Sequence, residues 1–316
     1  MKNYRIICVA ASLCLLCSLL SCGKKEGRVG HKERIDYIVA TENIYYDGVL
    51  DFSTGEYVGE KWNWDGKELY RIDYGDKMPY SENIFYDKRN RIIRTTVPAY
   101  MIRNEFVYDG RMLDHIDCYK NDELFSRTSI THGDNVITSI VCQYFVAEPA
   151  DTGIVAVAHN PLNAVLGHNV AKLFCCEQAR KTLLDKKKGS KDVAVVEYDL
   201  SWSDDNLTHI TCVSSEGRKE ISLSYDDKCN PYKQLYSYHD LNDGVCGFKM
   251  LSENNVTKVI MPYGVLDELV FTYKYEYDGD YPVARTLTYS FPVIDDATWD
   301  SVIAKHETVE RITYKD

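Results

Sequence analysis

A nine-residue phrase occurs twice in this chain: WDGKELYRI at Trp64–Ile72 and YDGRMLDHI at Tyr108–Ile116, both aromatic-D-G-basic-x-L-x-x-I. A degenerate copy, Tyr86-Asp87-Lys88-Arg89, stands midway, so Trp64, Tyr86 and Tyr108 follow one another at 22-residue intervals. Asp at a strand end accepts a backbone N–H two residues on, and Gly adopts positive φ without steric cost. Asp-Gly between alternating apolar residues is therefore a strong hairpin signal. One such period holds two strands of roughly 6–9 residues and two turns. Each period thus adds one β-hairpin to an antiparallel meander. Looser copies follow at Tyr46-Asp47-Gly48, Tyr225-Asp226-Asp227 and Tyr277-Asp278-Gly279. A second turn signature precedes apolar strand starts in DNVITSI (134–140), DDNLTHI (204–210) and NNVTKVI (254–260).

Composition agrees with a pleated, half-buried surface. The chain carries 25 Tyr against 9 Phe and 4 Trp, and its 45% apolar and 27% charged residues are ordinary for a globular protein. From Ile35 to Ala147 strands and turns alternate without a sustained helical period. In FTYKYEY (271–277) Phe271, Tyr273, Tyr275 and Tyr277 alternate with Thr272, Lys274 and Glu276, giving one aromatic and one polar face. Leu287, Tyr289 and Phe291 continue that alternation across the next turn. Between them lies a different pattern. Leu162, Leu166, Val170, Leu173 and Cys176 recur at three- and four-residue intervals, Asn160-Pro161 supplies a cap and first-turn Pro, and Gly189 follows Lys186–Lys188. This spacing predicts a helical insertion over about 159–188. Asp296 to His306 also reads as a short helix, with Val309 to Tyr314 a closing strand. The expected fold is mainly β: a large antiparallel meander of hairpin repeats. Roughly 16–20 strands do not stay one flat open sheet, so this one curls or closes into a barrel.

The N-terminus fixes placement. Lys2 and Arg5 precede the apolar run 6–20, too short for a spanning helix, which needs about 20 residues. The run ends in Leu19-Leu20-Ser21-Cys22, which resembles the lipobox of bacterial lipoproteins. That resemblance implies cleavage of a 1–21 signal peptide, acylation of Cys22, a flexible tether over 22–34 and a single β domain over 35–316. Acyl chains at about 0.8 kcal/mol per buried CH₂ anchor a protein without a spanning helix. Removing Lys2 and Arg5 with the signal lowers the formal net charge from −11 to −13, and no basic stripe offsets it, which excludes nucleic acid as a partner. Gly23-Lys24-Lys25-Glu26 after Cys22, in place of an acidic Ser/Asp-rich run, favours the periplasmic face of the outer membrane over the cell surface. The seven cysteines after Cys22 form no C-x-x-C; most read as small buried hydrophobes on strands.

The lipobox, the Tyr-Asp turns, the Pro161–Leu173 insertion and YDDKCNPYKQL (225–235) together resemble a family of Bacteroidota lipoproteins with a porin-like domain of unknown function. The turns also resemble degenerate YD repeats of the Rhs type. The resemblance spans most of residues 40–290. It implies a large curled or closed antiparallel sheet and supplies no active site.

No nucleophile elbow, H-E-x-x-H, P-loop or dinucleotide glycine run occurs. His168 with Cys175, Cys176 and Glu177 matches no closed zinc site. Asp204-Asp205, Asp226-Asp227 and Asp240–Asp243 match no calcium loop and read as solvated turns. Trp62 and Trp64, two apart on one strand, point the same way and are the candidates for a ligand platform, set against a pair in the core. The expectation is a non-enzymatic lipoprotein, without catalytic residues, metal or cofactor. Cys22 holds it at the membrane, and it binds a protein, glycan or lipid partner or serves as an envelope scaffold. A carrier of hydrophobic ligand in a curled-sheet cavity and a glycan binder are the alternatives.

Overall fold

The computed structural model describes residues 33–75, 80–134, 136–145, 194–214, 217–233, 235, 251–263, 266–294 and 301–315. β1 (Ile35–Tyr46) carries two strands in succession along one edge. β2 (Val49–Ser53) pairs with Asn43–Tyr46, and β3 (Tyr57–Asp65) with Tyr37–Ala40. A meander then runs through β4 (Glu68–Tyr74), β5 (Tyr80–Tyr86), β6 (Ile92–Val97), β7 (Ile102–Asp109), β8 (Met112–Lys120), β9 (Glu123–Gly133) and β10 (Val136–Tyr144). It continues through β11 (Ala194–Ser203), β12 (Asn206–Ser214), β13 (Gly217–Cys229), β14 (Asn254–Tyr263), β15 (Leu266–Asp278), β16 (Tyr281–Ile294) and β17 (Ser301–Tyr314), each antiparallel to the strand before. β17 pairs with the free edge of β1 from Ile35 to Tyr46, and the sheet closes. Of the seventeen described strands, sixteen form the barrel wall and β2 projects beyond it. A barrel abolishes the exposed edges that a long meander would otherwise present.

The repeat has a geometric meaning at the rim where β1 begins, here the entry rim. In the hairpins at 65–68, 109–112 and 278–281, Gly is the first of two loop residues, with φ between +55° and +61°, the position that a type II′ turn reserves for glycine. Directly after the turn comes a β-bulge. Trp64 pairs with Leu69 but Asn63 with Arg71; Tyr108 pairs with Leu113 but Val107 with His115. The bulge inserts one residue, so side chains three apart point to the same side. This explains L-x-x-I: Leu69, Ile72, Leu113 and Ile116 are all fully buried on the inner face.

Each bulge also splays its strand from the next, and an aromatic residue closes the gap. Between β4 and β5 the ladder ends at Arg71–Asn83; Tyr86, three residues on, donates its hydroxyl to the Leu69 carbonyl, two residues back, at 2.7 Å. The same offsets, three forward and two back, recur at Trp64 to Ile35, Tyr108 to Ile92, Trp202 to Ile137, Tyr225 to Leu207, Tyr275 to Val256 and Tyr314 to Pro282, at 2.6–2.8 Å. Burial pushes the Tyr86, Tyr225 and Tyr314 hydroxyls far above the usual phenol range, so they remain donors. Basic residues add a second tie: Arg34 donates to the Gly66 carbonyl and Arg91 to the Gly110 carbonyl.

Inner and outer faces differ sharply. Inward, a continuous cluster runs around the barrel, including Ile38, Ile72, Ile84, Val97, Phe106, Ile140, Tyr198, Ile221, Val259 and Leu287. Tyr232 and Leu235, between β13 and β14, join it, and Tyr232 meets Trp62 of β3 edge-on at 5.9 Å. β13 and β3 are six strands apart around the wall, so this contact crosses the interior. One buried ion pair, Arg285–Glu310 at 2.6 Å, links β16 to β17. Outward, residues two apart on one strand pair their charges: Arg71–Asp73, Arg103–Glu105, Arg218–Glu220 and Lys305–Glu307. The FTYKYEY alternation follows this division, with Phe271 and Tyr273 buried and Lys274 and Glu276 exposed.

Two sequence expectations about helices have different outcomes. The insertion at 159–188 lies outside the described residues. The short helix expected over Asp296–His306 is corrected: Ser301–Tyr314 is one strand, with 296–300 outside the described residues. The Val302-Ile303 spacing suited a helix, but pairing with both β16 and β1 fixes the extended form and alternates Val302, Ala304 and His306 inward. Cys118, Cys142 and Cys212 are buried, as expected of small strand hydrophobes, whereas Cys229 is exposed. Burial pushes the Cys118 thiol up to about 12, which makes it unreactive.

Candidate binding surfaces

Trp62 and Trp64 do share a face, with rings 6.1 Å apart and 28° from parallel. Trp62 is only 1% exposed, and its indole N–H donates to the buried Glu60 carboxylate at 2.7 Å. It is part of the barrel filling. Trp64 is partly buried, spends its N–H on the Ile35 carbonyl, and turns one side to a groove of about 580 Å³ on the entry rim. Tyr70, Phe85 and Tyr86 line this groove beside the carboxylates of Asp65, Glu68 and Asp87. Arg94 lies 4.1 Å over the Phe85 ring, and Asp87 is engaged by Arg91 and the Arg89 N–H. Burial raises the Asp87 pKa, but the Arg91 and Arg89 donors outweigh it and hold the carboxyl below its ordinary value. Glu68 and Asp65 remain as solvent-facing acceptors. Aromatic faces with flanking carboxylates suit a sugar or an organic cation.

A second surface lies at the opposite, far rim, where β15, β16, β17 and β1 are longer than β4–β7 and rise above them. Beyond the shift at Ile35–Tyr37, the register of β16, β17 and β1 runs unbroken and carries the inner face upward. Tyr289, His306 and Ile44 form one row, and Phe291, Ala304 and Tyr46 the next. β2 extends both rows, with Phe52 opposite Ile44 and Val49 opposite Tyr46. The His306 ring stacks at 5.0 Å on Tyr289 and 5.4 Å on Phe291, within 21° of parallel. Burial lowers the His306 pKa, with nearby Glu42 opposing. Glu42 accepts the Tyr57 hydroxyl, which fixes the foot of the wall. All five β2 residues are exposed: Val49 by 71%, Leu50 by 52% and Phe52 by 51%, beside Ile303 at 50%.

Sequence reading located the first surface through Trp64 and missed the second. The sequence signal for it was VLDFS, an apolar stretch directly after a Tyr-Asp-Gly turn and before a second turn at Thr54-Gly55. Cys22, His168, Cys175 and Cys176 lie outside the described residues. Asp204 and Asp205 occupy a positive-φ turn, and Asp226 accepts the Lys228 and Asn255 N–H groups and the Tyr277 hydroxyl, so both groups serve the rim. No group of three or more metal-ligating side chains occurs among the described residues.

No family model matches the chain, and no curated protein matches it. Among solved structures it is similar to a porin-like protein from Bacteroides uniformis ATCC 8492, at 8% identity and a TM-score of 0.45, over 89% of this chain and 98% of that one. It is also similar to TcdB2-TccC3-Cdc42, at 10% identity and a TM-score of 0.29, over 80% of this chain and 13% of that one. TcdB2-TccC3 without its hypervariable C-terminal region is similar at 10% identity and a TM-score of 0.29, over 88% and 15%.

Proposed function

We propose that this protein is a non-enzymatic binding barrel, held on the periplasmic face of the outer membrane by acylated Cys22. The observation that carries the reading is the polarity of the wall. A barrel that spans a membrane turns apolar side chains to lipid and polar ones to a wet lumen. Here the arrangement is reversed: Ile72, Ile116 and Ile140 pack inward, while Arg71–Asp73 and Lys305–Glu307 face out. Such a wall needs an anchor of another kind, and the tether from Cys22 reaches the barrel at the entry rim, at Ile35. Among the described residues the inward side chains are buried and Tyr232 meets Trp62 across the interior, so the candidate surfaces are those of the rims.

The test replaces residues 1–22 with an ordinary cleavable secretion signal. The expected result is a folded barrel in the soluble periplasmic fraction, whereas the native chain fractionates with membrane and incorporates palmitate. A barrel that stays membrane-integrated without Cys22 overturns the proposal. The aromatic wall around His306 favours a second reading, a carrier of hydrophobic ligand, which native mass spectrometry of detergent-free protein tests by its bound mass. The Trp64 groove favours a third, glycan binding, which Trp64→Ala abolishes on a glycan array if it is right.

A further inference from the structure

Among the described residues every wall strand pairs with a neighbour on each side. Among the described residues β2 pairs only with β1, and its other edge meets no strand. Natural sheets blunt such edges with Lys, Pro or burial. β2 has neither Lys nor Pro and is not buried: in VLDFS the one charge is Asp51, at the bulge between Leu50 and Phe52, and all five residues are exposed. Its two faces are apolar on both sides of the sheet. Val49 and Phe52 continue the inner wall of Tyr46 and Ile44, while Leu50 lies on the outer side with Tyr45. The hairpin is not loose. It is held by a two-residue turn, Asp47 at φ 46° and Gly48 at φ 83°, the type I′ arrangement. Asp47 fixes it to β17 twice, through its N–H to the Ile303 carbonyl at 3.1 Å and its carboxylate to the Ile303 N–H at 3.0 Å. The far end is tied by the Thr54 N–H to the Glu42 carbonyl at 3.0 Å.

We infer that β2 is a docking edge for an extended segment of another protein, taken up as an added antiparallel or parallel strand. Open backbone groups select a β-strand, because neither acyl chains nor a helix pairs with them. Apolar side chains on both faces select consecutive apolar residues in the guest, which fall on the two faces in turn. Glu56 is taken by Arg311 and Asp47 by the Ile303 N–H, but Asp51 stands exposed on an edge strand without Lys or Arg, in a chain of net charge −11, which selects basic residues flanking the guest's apolar core. The same charge disfavours a second copy, since β2 against β2 brings two Asp51 carboxylates into one short ladder. This inference rests on the binding-barrel reading above and names the class of partner.

The test uses the full processed chain and an acetylated, amidated seven-residue probe, Lys-Arg-Val-Val-Val-Lys-Lys. A control probe of the same composition but with Pro for the central Val cannot pair in a strand. The expected result is saturable binding of the first probe, at least tenfold weaker binding of the second, and at least tenfold slower amide exchange at Leu50–Ser53 when the first is bound. Leu50→Pro and, with the edge intact, Asp51→Lys each weaken binding at least tenfold at an unchanged melting temperature. Equal binding of both probes overturns the inference, as does binding that neither variant weakens. Dimerisation lost in Leu50→Pro overturns it in favour of a second copy. Adsorption to phosphatidylethanolamine–phosphatidylglycerol vesicles through β2, without peptide binding, overturns it in favour of lipid. None of these outcomes touches the fractionation test of the binding barrel, so the two readings fail separately.

Discussion

At the residue scale the unit of construction is an aromatic hydroxyl or indole N–H placed on a carbonyl that the ladder leaves open. A buried carbonyl without a donor costs about 1–3 kcal/mol, and a net hydrogen bond is worth about 1 kcal/mol. Tyr108→Phe keeps the ring and removes only the donor to Ile92. It should therefore lower stability by about 1–2 kcal/mol, read as a shift of the urea midpoint at constant slope. Tyr86→Phe should add to it independently, because its acceptor is Leu69. His306 makes a second residue-scale prediction. Burial holds its folded pKa below 6.5, so the unfolded chain binds a proton that the folded one does not as pH falls through 6.5 and below. That part of the stability is present above this window and lost beneath it. Asp87 and Glu307, also held low in the fold, lose theirs further down, toward the carboxylate range. Urea midpoints at pH 7.5 and 5.5 should differ less in His306→Phe than in the native chain; equal differences contradict the assignment.

At the element scale the hairpin is a sentence with fixed grammar: turn, bulge, inward pair, aromatic. Asp-Gly and the 22-residue spacing were legible because turn chemistry is local. The bulge was written as L-x-x-I yet is not readable from alternation alone, since a spacing of three belongs equally to a helix. The same ambiguity made Asp296–His306 look helical, where the pairing of Val302–His306 with two long strands settles the matter. Face assignments after the bulge are directly testable. Ile116→Ala, on the inner face, should cost about 2–5 kcal/mol. Asp114→Ala, at the inserted residue two positions earlier, should cost within about 0.5 kcal/mol. Urea unfolding of both variants checks this, and a reversal of the two values means the strand lies the other way round. The Trp62–Trp64 pair was legible as a shared face. Its division into one buried and one groove-lining indole was not, because that depends on Tyr232 arriving from six strands away.

At the scale of the molecule, closure turns a polar-apolar meander into a barrel with its core inside and its charges outside. Local sequence indicates that a sheet of so many strands must curl, but not where its ends meet. The joining of β1 to β17 depends on register between residues more than 260 positions apart. Unequal strand lengths then leave the β15–β1 side raised over the far rim. β2 is exposed because it belongs to that extension and not to the wall. The closing seam is the most direct test of the whole account. Thr41 of β1 and Val309 of β17 are register partners on its outer side. In the full chain carrying Thr41→Cys and Val309→Cys, mild oxidation should join the two new thiols within one molecule, found by mass spectrometry as a cross-linked peptide pair in folded protein. A chain in which these positions stay reduced, or join only between molecules, has an open sheet and contradicts the barrel.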